Sequence, residues 1–274
     1  MSKEALEVLG TTAGHSLQQL SLSMTSTQLS PSDMANFTAL RVLYIEGRRL
    51  EVAGLESPRP DALQMLDTLR IHSSRFGRFI QLFVDMRLEN LHTLGLSDHS
   101  DDALDGLRAF MSAHGNTSPE NRHTHELSAH SDDASNGLPA FLNVHGNKLL
   151  HLTIESTHAF PTLDQCPNLL DIKISSDCDL ADLVSNTPHK SLSKIVVSDI
   201  ESHIKKIEFD TEMFPALREI QILELGWPTT ERAIAKSRFV RFAEFLLQKN
   251  IKLTNSEEKA WTPRLKTGKG RRAS

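Results

Sequence analysis

Aromatic residues are scarce in this chain. They make up 5% of 274 residues, with one tyrosine (Tyr44) and two tryptophans (Trp227, Trp261), so any core is mainly aliphatic. Cysteine is scarcer still. Cys166 and Cys178 stand outside any Cys-x-x-Cys pair, which leaves no zinc-knuckle or redox motif; buried structural thiols are the expected reading. No excess of basic charge exists either. A net charge of -5 provides no electrostatic footprint for nucleic acid. Long hydrophobic runs are missing, and the longest patches, such as residues 79–86, are far too short to span a membrane. The start, "MSKEALEVLGTTAGHS", lacks the basic region and apolar stretch of a secretory signal. These absences together lead us to expect a soluble protein of a reducing compartment, the cytoplasm or the nucleus, with no nucleic-acid or membrane partner. The sequons Asn36-Phe37-Thr38 and Asn116-Thr117-Ser118 then read as chance matches. What remains is 39% hydrophobic and 24% charged, which is enough for a packed core.

What the chain does have is a period. A hexamer with apolar residues at positions 1, 4 and 6 recurs as "LQQLSL" (from Leu17), "LRVLYI" (Leu40), "LDTLRI" (Leu66), "LHTLGL" (Leu91), "LLHLTI" (Leu149), "LLDIKI" (Leu169), "LSKIVV" (Leu192) and "LREIQI" (Leu217). Successive starts are 23, 26, 25, 58, 20, 23 and 25 residues apart. One hexamer carries little weight in an aliphatic chain, but the regular spacing does. Positions 4 and 6 point to one face of a short strand, with polar residues between them on the other. A unit of this size cannot bury its own apolar face, so units stack into a solenoid with a shared core.

The long step has its own explanation. "HSDDALDGLRAFMSAHGN" (99–116) and "HSDDASNGLPAFLNVHGN" (130–147) match at 12 of 18 positions, 31 residues apart. Removing 31 from 58 leaves 27, close to the ordinary period, so one unit is a tandem duplication. The first copy reads as a helix capped by Ser100 or Asp101, with Leu104, Leu107, Phe110 and Met111 on one face. The second has lost its strand, because Arg122 and His125 replace Leu91 and Leu94. It also carries Pro139, which predicts a helix beginning near that residue. Residues 115–137 are therefore expected to loop out; an irregular extra repeat is the alternative. A second helix is expected over 237–250, with Phe239, Phe242, Phe245 and Leu246 on one side.

Units of this pattern at 23 to 26 residues resemble the leucine-rich-repeat superfamily, in its ribonuclease-inhibitor-like and F-box-associated branch. The likeness covers roughly residues 15–255. The closing "FPALREIQILELGWP…FVRFAEFLLQKNIKLTNSEEKAW" is similar to the end of leucine-rich F-box-like proteins of mushroom-forming fungi: a last repeat, a helix, a short strand (Ile251, Leu253) and a terminal tryptophan (Trp261). The resemblance implies an α/β leucine-rich-repeat solenoid with parallel strands on a concave face and helices and turns outside. One domain (1–262) and a disordered basic tail (263–274) are expected. Many such repeats carry Asn or Cys eight residues after the first Leu. Here the positions hold Thr25, Arg48, Ser74, His99, Thr157, Asp177, Ile200 and Leu225, so the turns are expected to be uneven. An F-box is an N-terminal module of about 40 to 50 residues, a small domain, and the first repeat starts at Leu17, so no F-box is expected in these 274 residues.

Catalytic and metal motifs fit poorly. Nine of thirteen histidines lie between His92 and His158. "HTHELSAH" spaces His125 and His130 at i and i+5, whereas two zinc ligands on one helix face need i and i+4. A histidine-rich loop is the expected reading, with an adventitious metal site as the alternative. "DDALDG" (101–106) lacks the alternating acids and closing Glu of a calcium loop. "GTTAGHS" (10–16) has no Lys for a phosphate loop, and no Gly-x-Ser-x-Gly elbow occurs. The basic tail, with Arg264, Lys266, Lys269, Arg271 and Arg272, reads as solvated; docking, nuclear import or phosphorylation of Ser274 is the sharper alternative.

The expected function is thus non-enzymatic: a scaffold without cofactors that binds another protein on outward strand residues. Candidates are Arg41, Tyr44, Arg70, His72, His92, His151, Glu155, Lys173, Lys194 and Arg218. Tyr44, Arg41 and Arg70 lead, since Tyr and Arg are common interface hot spots. The alternative is substrate recognition for an F-box-type ubiquitin ligase, with a Skp1-like adaptor engaged only if an F-box is supplied elsewhere.

Overall fold

Every one of the eight hexamers forms a strand. The computed structural model describes residues 3–24, 28–47, 51–52, 61–73, 79–97, 137–155, 163–174, 188–198 and 212–262. The strands are β1 (Gln19–Met24), β2 (Gln28–Leu29), β3 (Val42–Gly47), β4 (Glu51–Val52), β5 (Thr68–His72), β6 (Thr93–Ser97), β7 (His151–Glu155), β8 (Asp171–Ile174), β9 (Lys194–Val197), β10 (Glu219–Ile222) and β11 (Lys252–Thr254). The helices are α1 (Lys3–Ala13), α2 (Pro31–Met34), α3 (Gly137–His145), α4 (Glu231–Lys236) and α5 (Arg238–Gln248). The protein is α/β. Nine strands form one open parallel sheet in the order β1-β3-β5-β6-β7-β8-β9-β10-β11, and β2 pairs with β4 to one side.

Register follows the hexamer. Position 4 runs as one row from Leu20 through Leu43, Leu69, Leu94, Leu152, Ile172, Ile195 and Ile220 to Leu253. Position 6 makes a parallel row through Ile45, Ile71, Leu96, Ile154 and Ile174. Both rows are buried in one continuous core, together with position 1 from Leu40 to Leu217. Branched side chains suit such rows because they pack well on a pleated surface.

A further buried column lies three residues before position 1, and its residue types share no chemistry: Gly14, Phe37, Leu63, Leu88, Gly146, Cys166, His189 and Phe214. Here the backbone turns into the strand. The N–H of Leu66, Leu149, Leu169 and Leu217 donates to the carbonyl three residues earlier, at 2.9, 3.1, 3.1 and 3.0 Å. At His189 the ring takes over this role: its Nδ1 accepts from Leu192 N–H (3.1 Å), and its Nε2 donates to the Cys166 carbonyl of the preceding unit (2.8 Å). Units are also tied by polar side chains just before position 1. Asn90, Asn168 and Ser191 donate to the carbonyls of Gln64, Asn147 and Pro167, at 2.7, 2.7 and 2.9 Å. Uneven turns are expected because the residue eight after the first Leu is never Asn or Cys. Seven of those eight positions lie outside the described residues, and Leu225 is buried.

Strand β6 pairs directly with β7, Leu94 against Leu152. The duplicated unit therefore places no strand between them. Residues 98–136, where the first copy's helix and most of the loop are expected, lie outside the described residues, as does the tail from 263. The second copy's helix is α3, with Pro139 in its first turn. Phe141, Leu142 and His145 of α3 are buried.

Helix α5 departs from expectation in one respect. Phe242 and Leu246 are buried with Val240 and Ala243, and Phe239 is half-buried, but Phe245 is 41% exposed. It stands roughly 100° around the helix from Leu246, beyond the buried stripe. Ser237 caps α5, accepting from Val240 N–H at 3.3 Å. Asn250, with φ at 62°, turns the chain into β11, whose Leu253 is buried beside Ile251. Trp261 is buried and packs on Trp227 with ring centroids 5.5 Å apart.

Burial of His145 should make folding pH-dependent. Its Nε2 donates to the Phe83 carbonyl at 3.1 Å, and Nδ1 is buried without a partner among the described residues. Burial holds the ring below the ordinary imidazole value of 6.5. Below that pH the unfolded chain takes up a proton that the folded one refuses, so stability is present above pH 6.5 and falls with acid. Urea midpoints are expected to drop from pH 7 to pH 5, and to drop less in His145→Gln.

Candidate functional site

Parallel sheets are normally covered on both faces. In this one, the residues alternating with the core rows are half-buried or exposed along β3, β5, β6, β7, β8 and β9. The ten candidate residues all lie on this open face or at its lower rim. Tyr44, Arg70, His72, His151, Glu155, Lys173 and Lys194 are in strands, and Arg41, His92 and Arg218 each stand one residue before a strand. The rim is continuous, since Asp67 N–H bonds to Arg41 O and His92 N–H to Asp67 O, at 2.8 and 3.0 Å.

Their partners divide them into two groups. His92 Nδ1 lies 2.8 Å from Asp67 Oδ1. His151 pairs with Asp171 and Lys173 with Glu155, each across one strand boundary. Lys194 reaches Glu219 at 3.1 Å and Glu258 at 3.5 Å. Arg218 folds back onto the carbonyls of Leu217 (2.9 Å) and Pro215 (3.3 Å). His72 Nδ1 bonds to the Ser97 hydroxyl. Exposed pairs of this kind contribute at most about 1 kcal/mol each; Lys173 and Lys194 are balanced by carboxylates, whereas Arg218 meets only uncharged carbonyls. Arg41, Arg70 and Arg218 form no ion pair among the described residues, and of these Arg218 alone is held there by side-chain hydrogen bonds. Tyr44 sits directly opposite Arg70 in the β3–β5 register.

Electrostatics agree with this division. The hydrogen bond from His92 holds the Asp67 carboxyl below the usual carboxylate range. Burial, and then the charge of Glu46, push the Tyr44 phenol above 10.0, while Arg70 pulls it down. Cys166 is buried, and burial pushes its thiol up to about 12, so it holds almost no thiolate at neutral pH. The histidine cluster His123, His125 and His130 lies outside the described residues, as does Cys178. Among the described residues no three metal-capable side chains converge, and no helix is long and apolar enough to cross a membrane.

Sequence reasoning overlooked Gly95. It is the only glycine at position 5 of any hexamer, and it falls in the middle of the outward row between Arg70 and Thr153. Its missing side chain opens a notch of about 250 Å³, flanked by Tyr44 and Arg70 on one side and by Thr153 and Lys173 on the other, with Ser97 at one end. A Cβ at residue 95 would stand 3.1 Å from Arg70 Cγ, so Arg70 leans across the glycine. Also overlooked were Asp67 and Asp171, whose roles depend on which strands are neighbours.

No protein-family model matches the chain, and no curated protein is similar enough to count as a relative.

Proposed function

We propose that this protein is a non-enzymatic binding scaffold of the leucine-rich-repeat type, and that a partner protein docks on the open strand face around Arg41, Tyr44 and Arg70. One observation carries this reading. The sheet is parallel and its strands follow chain order, yet alternate residues on one face remain accessible, and Arg41 and Arg70 at one end of that face have no ion-pair partner among the described residues. Stacked repeats put such surfaces to use as extended docking sites, and Tyr and Arg are the residues that most often dominate them. The satisfied pairs from β6 to β10 act as rim and register.

The test is affinity purification with mass spectrometry, comparing three baits. These are the wild type, Tyr44→Ala/Arg70→Ala, and Val144→Asp, which alters an exposed residue of α3. Partners on the strand face should fall at least about tenfold with the double variant, a loss of roughly 1.4 kcal/mol, and persist with Val144→Asp. Equal recovery with all three baits rejects the strand face. A Skp1-like adaptor recovered through a partner would give the same face a substrate-recognition role in a ubiquitin ligase.

A further inference from the structure

The geometry points to the notch over Gly95 as a carboxylate pocket: we infer that it receives one Asp or Glu side chain of the docking partner, with Arg70 as the ion-pairing group. The inference rests on the strand-face reading above and adds the chemistry of the partner.

Charge carries the first part. Two cations line the notch, and Lys173 is already paired with Glu155. Arg70 has no carboxylate within ion-pair distance among the described residues, and the Glu46 charge reaches Tyr44 from the β3 side, so Arg70 is the notch cation left without an ion-pair partner. One negative charge matches it. A doubly charged phosphate would meet the Glu155 carboxylate at the same notch with no second free cation to offset it. An aspartate or glutamate side chain brings a single charge in a planar form that a guanidinium binds through two parallel hydrogen bonds.

Shape carries the second. Gly95 removes the side chain that would separate β5 from β7, which lie about 10 Å apart across β6. The volume of about 250 Å³ is several times the roughly 30 Å³ of one water, so an acidic side chain fits with solvent to spare. Tyr44 and Thr153 both line the notch, and both hydroxyls can donate to a carboxylate. The notch is open, and an exposed ion pair binds weakly by itself. It therefore suits one residue of a longer docked segment and not a free small acid.

Tyr44 makes the site readable because it is the only tyrosine in the chain. Phenol absorbance and ring NMR signals thus report on the notch alone. The full chain would be titrated at low ionic strength with an acetylated, amidated penta-glutamate peptide, with its penta-glutamine counterpart, and with inorganic phosphate. Penta-glutamate should shift the Tyr44 ring signals and raise the phenol's titration midpoint; penta-glutamine should do neither. Affinity should fall about tenfold in Arg70→Ala, be partly restored in Arg70→Lys, and fall in Gly95→Ala. It should be unchanged in Lys252→Ala on β11. Equal binding to Arg70→Ala, or phosphate competing as well as the peptide, overturns the carboxylate pocket. If Tyr44→Ala/Arg70→Ala loses its partners while Tyr44 ignores penta-glutamate, the pocket fails and the strand face stands. If the peptide response is intact but partner recovery is unaffected, the strand-face reading fails instead, and the pocket's assignment to a partner with it.

Discussion

Gly146→Ala should lower the unfolding free energy by about 3 kcal/mol, the upper end of what overpacking usually costs. The added methyl would stand 2.2 Å from the Gln165 carbonyl oxygen and 3.2 Å from Cys166 Sγ. The first contact is with backbone, which cannot rotate away. Gly14 is in the same position one end earlier: a Cβ there would lie 2.2 Å from the Asn36 carbonyl oxygen. Both glycines occupy the buried turn column, and both press on the residue just before that column in the next unit. At these two points the stacking distance is set by a missing side chain. Chemical denaturation of Gly146→Ala and Gly14→Ala should show large losses in both. A loss below about 0.5 kcal/mol in either would mean the units can separate without penalty.

Leu94→Ala is expected to cost about 4 kcal/mol, within the usual range for a large buried aliphatic. Leu94 is fully buried, with Leu69 on one side and Leu152 on the other. Leu20→Ala should cost about half as much, because Leu20 is 6% exposed and its row has a neighbour on one side only. In a linear stack each unit is stabilised by the two beside it. Both tryptophans lie beyond β10, at the far end from Leu94. In Leu94→Ala the circular-dichroism midpoint should therefore fall further than the tryptophan-fluorescence midpoint. Coincident transitions would show that the sheet unfolds as a single unit.

The strands could be read from the sequence because the hexamer puts burial and alternation into the same letters. Leu43 and Ile45 announce β3 as plainly as Ile195 and Val197 announce β9. The turn column was not legible, because its demand is for shape and a hydrogen-bond acceptor. Gly146, Phe37, Cys166 and His189 meet that demand by different means, so no residue type recurs. The charge pairs were hidden for another reason. His151 could be listed as outward-facing from its place in "LLHLTI", but its pairing with Asp171, and the neighbouring of β7 with β6, depend on how the long step is resolved. Of the ten candidate residues, the five that pair with an acidic or basic side chain, Arg218 on its carbonyls and His72 could not be told apart from Arg41, Tyr44 and Arg70 until the register was known. Gly95 was visible as the odd residue at its position, but a small outward residue draws attention only once its neighbours are known to be large.

The direct pairing of β6 with β7 also bears on how such a chain can change. The two strands meet with 53 residues between Ser97 and His151, against 20 between β5 and β6. The entropy of closing a chain segment grows only with the logarithm of its length, so the extra residues cost at most about 1 kcal/mol. Register on either side is held by neighbour contacts that the added length does not touch. A tandem copying error between two rungs is therefore nearly neutral for folding. The array can carry new sequence at that junction, free to diverge as the second copy has, without altering the rows of residues on either side.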